Sequence, residues 1–267
     1  AWGWKAGGNK NTFNVDDVGY ASAAAAGLTA GTLTISGASV GTKQGFSIIK
    51  YAGSGSNNTF PHGLTQAPNF YTIKCLDVSD ESWRVYHSSL GATKALSLNS
   101  NSNASTSNIY FNDTEPTTTT ASVYAGYDGV NNTGRDYITY LWHNVPGLQK
   151  FGSYVGNGNA DGPFVFTGHK VALVMIKNTA TDGTHWTIID GTRNTFNLAN
   201  NKLLASSSAA ENGSPNNSSS NTVDLLSDGF KCRTDNGDTN ASGITYIYAA
   251  WAEAPTVNLF GGGANAR

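Results

Sequence analysis

The sequence predicts an all-β protein built from two tandem β-sandwich repeats. Segments of five to seven residues alternate large and polar side chains and end in Gly, Ser, Asn or Pro, which is typical of strands joined by turns. Long amphipathic helical patterns are absent from the sequence. Several motifs recur in the same order in the second half of the chain, which indicates an internal duplication.

The duplication rests on a constant offset between matching motifs. The motifs that reappear 103 residues later are Tyr-x-Gly at 51–53 and 154–156, Ile-Lys at 73–74 and 176–177, and the tryptophan at 83 and 186. Near the end of each copy the offset becomes 109, as between Trp142 and Trp251. The second copy therefore carries a net insertion, which we expect in residues 212–220 because that segment consists of Asn, Gly, Ser and Pro.

Each copy contains predicted strands at comparable places. The predicted strands are residues 45–51, 68–74, 83–87, 121–125 and 137–142 in the first copy, and 172–177, 186–190, 229–233 and 246–251 in the second. The predicted strand at 68–74 begins at Pro68, because proline is excluded from the middle of a central strand. Residues 17–28 are rich in alanine and would allow a short helix, which Gly19 and Gly27 limit.

The repeats also predict where the segments of the chain begin and end. Trp4 fits the place of Trp142 and Trp251 in the last strand of the unit, so the start of the chain resembles the end of a preceding domain. The predicted segments are a terminal strand with a Gly/Ala/Thr-rich connector at 1–44, a first sandwich at 45–145, a junction at 146–149, a second sandwich at 150–255 and a Gly-rich tail at 256–267.

The composition excludes several classes of protein. Charged residues are 13% of the chain and the net charge is -2, so there is no basic excess to neutralise nucleic-acid phosphates. No apolar run reaches the roughly 18 residues of a membrane-spanning helix. The two cysteines, Cys75 and Cys232, are too few for a disulfide-stapled scaffold, and we expect two buried reduced thiols.

The sequence does not predict an enzyme. Acidic residues such as Asp190, Glu211, Asp224 and Asp228 are scattered in polar loops, where Asp and Asn usually form turns, whereas a glycosidase needs two carboxylates facing one cleft. No pair among the five histidines has the i, i+4 spacing of a helical metal site, and no G-x-S-x-G motif is present. We therefore expect no catalytic residues.

Two sets of residues are candidates for binding. The loop at 235–240 contains a glycine and offers hard oxygen ligands from Asp235, Asp238 and Asn240. Ca²⁺ is therefore the one candidate cofactor, and plain β-turns are the alternative interpretation of this loop. The tryptophans at 83, 142, 186 and 251 recur at equivalent positions, which favours core packing. The non-repeated aromatics Tyr20, Tyr127 and Phe260 are expected to be exposed and to bind a receptor.

Several motifs together resemble a recurrent module of phage virion proteins. The motifs are residues 45–49, 62–64 before 67–68, 83–91, 150–154, 157–164 and 240–248. The module is common in tail-fibre and receptor-binding proteins of marine phages, often next to concanavalin-like or laminin-G-like sandwiches. The resemblance covers most of residues 45–255 and implies a jelly-roll or concanavalin-like sandwich at the virion surface. It carries no catalytic residues to transfer.

The resemblance and the composition together predict a non-enzymatic virion structural protein. We expect a tail-fibre or receptor-binding subunit that attaches the phage to a host-surface glycan or lipopolysaccharide, contacts other virion proteins and forms a homo-oligomer, namely a trimer. Neither nucleic-acid binding nor membrane insertion is expected. The alternatives are a capsid decoration or head-fibre protein, and a secreted carbohydrate-binding module or depolymerase.

Overall fold

The computed structural model describes residues 2–211 and 223–254, and throughout these residues the chain is all-β, with strands and turns but no helix. It divides into two compact units. The first unit contains the residues up to 97 together with 105–143, and the second contains residues 98–104 and those from 144 onward. Within the described residues, no helix is long and apolar enough to cross a membrane.

Eleven strands belong to the first unit and eight to the second, counted over the described residues. Those of the first unit are β1 (Phe13–Val15), β2 (Val18–Tyr20), β3 (Ile35–Gly41), β4 (Phe46–Ala52), β5 (Asn58–Pro61), β6 (Phe70–Cys75), β7 (Arg84–His87), β8 (Lys94–Ser97), β9 (Ser105–Thr106), β10 (Thr120–Val123) and β11 (Asp136–Trp142). Those of the second are β12 (Gln149–Val155), β13 (Phe164–Phe166), β14 (Leu173–Asn178), β15 (Thr187–Asp190), β16 (Lys202–Leu204), β17 (Val223–Leu225), β18 (Gly229–Cys232) and β19 (Thr245–Trp251).

The first unit is a sandwich of a large and a small sheet. The large sheet has the strand order β2-β1-β3-β4-β11-β6-β7-β8-β9, and the small sheet pairs β10 with β5. Ile49, Tyr71 and Tyr137 of the large sheet share one apolar core with Phe60 and Val123 of the small sheet. Buried residues alternate with half-buried or exposed ones along most of β4 and β11, which follows from this one-sided burial.

The second unit is built in the same way. Its large sheet has the order β12-β19-β14-β15-β16 and its small sheet the order β13-β18-β17. Ile176 and Tyr246 of the large sheet share a core with Val165, Phe230 and Cys232 of the small one. The central order of the first unit, β4-β11-β6-β7-β8, has the same topology as this five-stranded sheet.

The N-terminal segment differs from the sequence-based expectation. Residues 2–5 form no strand, although Trp4 packs edge-on against Trp142 with ring centroids 6.2 Å apart. β1 pairs in parallel with β3, and β3 pairs with β4. The three strands within residues 13–41 therefore belong to the sheet of the first unit, and residues 21–34 connect β2 with β3. The alanine-rich stretch at 22–27 is a turn and not a helix, since Gly27 has a φ of 73°.

A pair of stacked tyrosines lies at the centre of the first unit. Tyr51 on β4 and Tyr137 on β11 are fully buried, with ring centroids 5.2 Å apart. The Tyr51 hydroxyl donates to the carbonyl of Val130 at 2.6 Å, and the Tyr137 hydroxyl donates to that of Asp128 at 2.9 Å. Because buried hydroxyl groups need partners, these two bonds fix the loop before β11 against the core.

The second unit contains an equivalent pair. Tyr154 on β12 stacks on Tyr246 of β19 at 5.1 Å, and their hydroxyls donate to the carbonyls of Thr239 at 2.6 Å and Gly237 at 2.8 Å. The buried Asn240 ties the same loop to the turn after β12, since its side-chain oxygen accepts the N–H of Asn157 at 2.9 Å.

Asn131 and Ser54 make the corresponding bond in the first unit, at 2.8 Å. Both hydrogen-bond networks also require a glycine two residues after the tyrosine, that is, after Tyr51 in the first unit and after Tyr154 in the second. A Cβ at Gly53 would lie 2.1 Å from the carbonyl oxygen of Asn132, and a Cβ at Gly156 would lie 2.3 Å from that of Ala241. Only glycine permits such a close backbone approach, which explains the repeated Tyr-x-Gly motif.

The expectation for the cysteines is confirmed, and the histidines add buried polar groups. Cys75 and Cys232 are free and buried, and burial raises the pKa of the Cys232 thiol to about 11. His62 accepts the N–H of Leu64 through Nδ1 at 3.1 Å, and its Nε2 faces the carbonyl of Thr117 at 3.2 Å. This arrangement requires a neutral ring.

The buried asparagines provide a first test of the fold. We expect Asn240→Ala to lower the free energy of unfolding by about 3 kcal/mol, because it leaves buried N–H and carbonyl groups of the loops without a partner. Asn131→Ala should have a similar effect, whereas Asn9→Ala, at an exposed position, should have almost none. Urea unfolding followed by tryptophan fluorescence measures all three. Equal stability of the three variants would contradict the assignment.

The buried histidines predict sensitivity to acid. Burial is the main cause that lowers the pKa of both His62 and His169 to about 4, with smaller effects from His143 and Lys150 respectively. Because the unfolded chain binds these protons near pH 6.5, stability is complete above that pH and falls as the pH drops towards 4, by about 3 kcal/mol for each histidine.

Nuclear magnetic resonance titration of the ring protons tests this directly. The shifts of His62 and His169 should stay those of neutral imidazole down to about pH 5. His169→Asn should reduce the difference in unfolding free energy between pH 7 and pH 4, while the His62 resonance keeps its low pKa. Titration of either ring near pH 6.5 in the folded protein would refute the prediction.

Candidate functional site

The three aromatic residues expected to bind a receptor have different surroundings. Tyr20 ends β2 and is half-buried beside an open groove of about 500 Å³, whose lining includes Phe13, residues 21–24 and residues 28–35. That lining consists of small, apolar and hydroxyl side chains without a charge. Phe260 lies outside the described residues.

Tyr127 is half-buried like Tyr20, so the expectation that these two rings are exposed is wrong. Its ring is half-buried against the core of the first unit. The guanidinium of Arg84 lies 5.3 Å from the ring centroid and donates a hydrogen bond to the Tyr127 hydroxyl. Burial raises the pKa of this hydroxyl to about 12. The contacts of Tyr127 with Arg84 therefore stabilise the loop that carries this tyrosine.

The four tryptophans at 83, 142, 186 and 251 are mostly core residues, as expected. Trp142, Trp186 and Trp251 are buried. Trp83 is half-buried and stacks on Tyr140, with ring centroids 6.0 Å apart.

Two of the three residues considered for Ca²⁺, Asp238 and Asn240, have polar groups engaged in protein contacts. Asp235 is exposed, whereas Asp238 accepts the N–H of His185 at 2.9 Å and lies 4.0 Å from the ammonium of Lys202. Asn240 is buried and donates through its amide to the carbonyls of Asn159 and Thr234. Within residues 2–211 and 223–254, no group of three His, Cys, Asp or Glu side chains is placed to hold a metal ion.

Two lysines lie buried near this loop. Lys177 donates to the carbonyl of Thr184 at 2.7 Å, and burial lowers its pKa to about 8. Burial also lowers the pKa of Lys202, against the opposing effect of Asp238. Both ammonium groups are enclosed by protein and therefore organise loops of the second unit.

A different group of residues forms an accessible apolar surface near polar side chains. Phe164 and Phe166, which we call the aromatic edge, point outward from β13, while Val165 between them is buried against Phe230. Phe166 is 58% exposed and Phe164 is 47% exposed. Large side chains this exposed next to each other are characteristic of contact surfaces.

Charged residues lie beside the aromatic edge on the same face of the small sheet. Lys231 of β18 is opposite Phe164 and pairs with Asp161 at 2.8 Å, and Asp224 of β17 pairs with Arg233 at 3.5 Å. The Lys231 contact lowers the pKa of Asp161. The face thus combines aromatic rings with groups that donate and accept hydrogen bonds, which is what orients a polar ligand.

A small pocket lies on the other side of Phe166. It has a volume of about 330 Å³, and its lining includes Asn144, Pro146, Lys150, Phe166 and Thr167. The Lys150 ammonium lies 5.5 Å from the centroid of the Phe166 ring. The volume is at the lower end of the range of small-ligand sites.

The first unit has no aromatic edge at the corresponding place. Its small sheet also has a buried middle residue, Phe60, opposite Ala121, but the flanking residues are Thr59 and Pro61. The carbonyl of Thr59 accepts the N–H groups of Thr32 and Leu33 at 2.9 Å, so this strand edge is covered by the chain itself. The described residues contain no such cover for β13.

The aromatic edge is not among the candidate sites that the sequence predicts. The signal was the alternation Phe164-Val165-Phe166 in a short strand, set against Thr59-Phe60-Pro61 in the first unit. The register of the small sheets aligns these segments at an offset of 105, whereas the offset of 103 matches Phe166 with Gly63. In this register, the turn before β13 is two residues longer than the turn before β5, so a constant offset of 103 does not align the two strands.

Comparison with known proteins gives one result. Searches of curated proteins and of solved structures gave no match. One family model, described as Domain of unknown function (DUF7483), matches residues 1–255. Because this match covers nearly the whole chain, the protein belongs to the DUF7483 family.

Proposed function

We propose that the protein is a non-enzymatic structural protein of the phage virion surface, a tail-fibre or receptor-binding subunit that adheres to host-surface glycans. The proposal includes two tandem copies of one jelly-roll or concanavalin-like sandwich module. Its support is the shared strand order of the two large sheets and the matching networks of Tyr51 with Asn131 and Tyr154 with Asn240. The motifs that resemble phage fibre modules lie on these same elements.

The observation that carries the adhesive role is the aromatic edge. In the proposed duplication, one copy keeps a covered strand edge with Thr59 and Pro61, while the other exposes Phe164 and Phe166 beside Lys231. Exposing apolar rings on an open edge favours aggregation, so their presence needs a function. The C–H face of a sugar ring packs on aromatic rings, and its hydroxyls pair with adjacent charged and amide groups.

The proposed mechanism of attachment is avidity. A single shallow face binds a sugar weakly, but a trimer in a fibre presents several such faces at once, which multiplies the residence time without new contacts. With 13% charged residues, the surface relies on neutral hydrogen bonds and apolar contacts. These are less sensitive to salt than long-range charge attraction, and this property suits attachment in seawater.

A glycan array tests the adhesive role. We expect the full chain to be retained by bacterial surface polysaccharides or lipopolysaccharide, and the double variant Phe164→Ala/Phe166→Ala to lose at least tenfold in affinity. Phe196→Ala removes another exposed phenylalanine, 84% exposed, and should bind as the unchanged protein does. No reducing sugar should be released.

Three results would contradict the proposal: equal retention of the double variant, absence of any retention, and release of reducing sugar. Immunogold electron microscopy of particles that carry this chain tests its location. Labelled tail fibres support the proposal, and labelled capsid faces or vertices would overturn it in favour of a decoration protein.

A further inference from the structure

The pocket beside Phe166 contains a positive charge without an acidic partner. Lys150 on β12 is half-buried at the pocket, and no carboxylate lies within 4.0 Å of its ammonium among the described residues. The lining of the pocket contains no Asp or Glu. Other cations of the second unit, such as Lys231 and Arg193, are paired with carboxylates.

The position of Lys150 is defined by the surrounding structure. β12 pairs with β19 along its whole length, with Lys150 opposite Ala250, so the backbone that carries the lysine is rigid. Its ammonium lies 5.5 Å from the centroid of the Phe166 ring, within the range of a cation–π contact. This contact holds the charge at the pocket without neutralising it.

The pocket also has an apolar wall and a polar wall. Phe166 keeps 58% of its surface exposed despite the contact with Lys150, and Pro146 is exposed on the lining as well. Asn144 and Gln149 belong to the same lining; the side-chain oxygen of Asn144 accepts the N–H of Phe151 at 2.8 Å, and Gln149 is buried. A ligand that fits has an apolar ring face, neutral hydrogen-bonding groups and one negative charge.

We infer that this pocket binds an acidic sugar, a pyranose that carries a carboxylate or a sulfate group. The anionic group pairs with Lys150, the C–H face of the ring packs on Phe166, and the hydroxyls contact the amide side. The inference rests on the proposed glycan adhesion and specifies the chemical class of the glycan. The low overall charge of the chain makes this local cation the source of selectivity for acidic over neutral saccharides.

The test uses the full chain and an array of matched saccharides. Each set has the same sugar backbone in carboxylated, sulfated and neutral form, for example oligomers of galacturonate, galactose sulfate and galactose of equal length. We expect at least tenfold tighter binding to an acidic member than to its neutral counterpart, since a charge-assisted hydrogen bond is stronger than a neutral one. Carboxylate or sulfate preference identifies which acidic group is bound.

Variants of Lys150 and Phe166 separate charge recognition from general adhesion. Lys150→Gln should abolish the preference for acidic members while leaving binding to the neutral ones, and Lys150→Arg should retain the preference. Phe166→Ala should weaken binding to acidic and neutral members alike. Lys170→Gln, a matched change at an exposed lysine, should leave every affinity unchanged.

Several outcomes would overturn the inference, and they differ from failure of the adhesive role. Equal affinity for acidic and neutral members, or a preference that survives in Lys150→Gln, refutes the acidic-sugar pocket while glycan adhesion stands. Loss of retention on every saccharide refutes both. Self-association that depends on Phe166 in light scattering would assign the pocket to a second copy of the chain and refute the inference.

Discussion

The buried hydroxyl groups of stacked tyrosines impose the constraint on which each unit depends. Tyr51, Tyr137 and Tyr246 are buried in the two cores and Tyr154 packs against the second one. Their hydroxyl groups need partners, because an unsatisfied buried polar group costs about 1–3 kcal/mol. The partners are carbonyls of the loop before the last strand, at residues 128–130 and 237–239. The apolar core therefore determines the conformation of a polar surface loop.

This constraint separates positions that maintain the fold from positions that can vary. Asn131 and Asn240 complete the networks. The small sheet makes none of these bonds through its outward side chains, so the outer face of β13 can carry Phe164 and Phe166 without disturbing the tyrosine pair. Function placed there depends on the exposed side chains of a rigid scaffold, which is the general arrangement in binding proteins.

Local patterns predicted much of the fold. The segments 137–142 and 246–251 are both central strands, as predicted. The alternation at 137–142 matches deeper burial of one face, whereas 246–251 is buried on both faces. The parallel pairing of β1 with β3 was not predictable, because local hydrophobicity does not specify a long-range partner. Tyr127 was misassigned for the same reason, since Arg84, which covers its ring, lies 43 residues earlier. The aromatic edge could not be predicted because its comparison with Thr59 and Pro61 requires the register of the small sheets, and constant sequence offsets do not reveal that register.

Because few residues of the chain are charged, each charged side chain has a larger effect on the local electrostatic potential. In a protein rich in lysine and glutamate, one more cation at the surface is screened and matched by its neighbours. Here the surface polarity comes mainly from amides and hydroxyls, which offer hydrogen bonds to almost any polar ligand and therefore discriminate weakly. A single half-buried ammonium, held over an aromatic ring beside a pocket without carboxylates, creates a local positive potential that neutral groups cannot supply. Selectivity for an anionic over a neutral ligand then requires only Lys150, which the pairing of β12 with β19 holds in place, and does not require a basic surface.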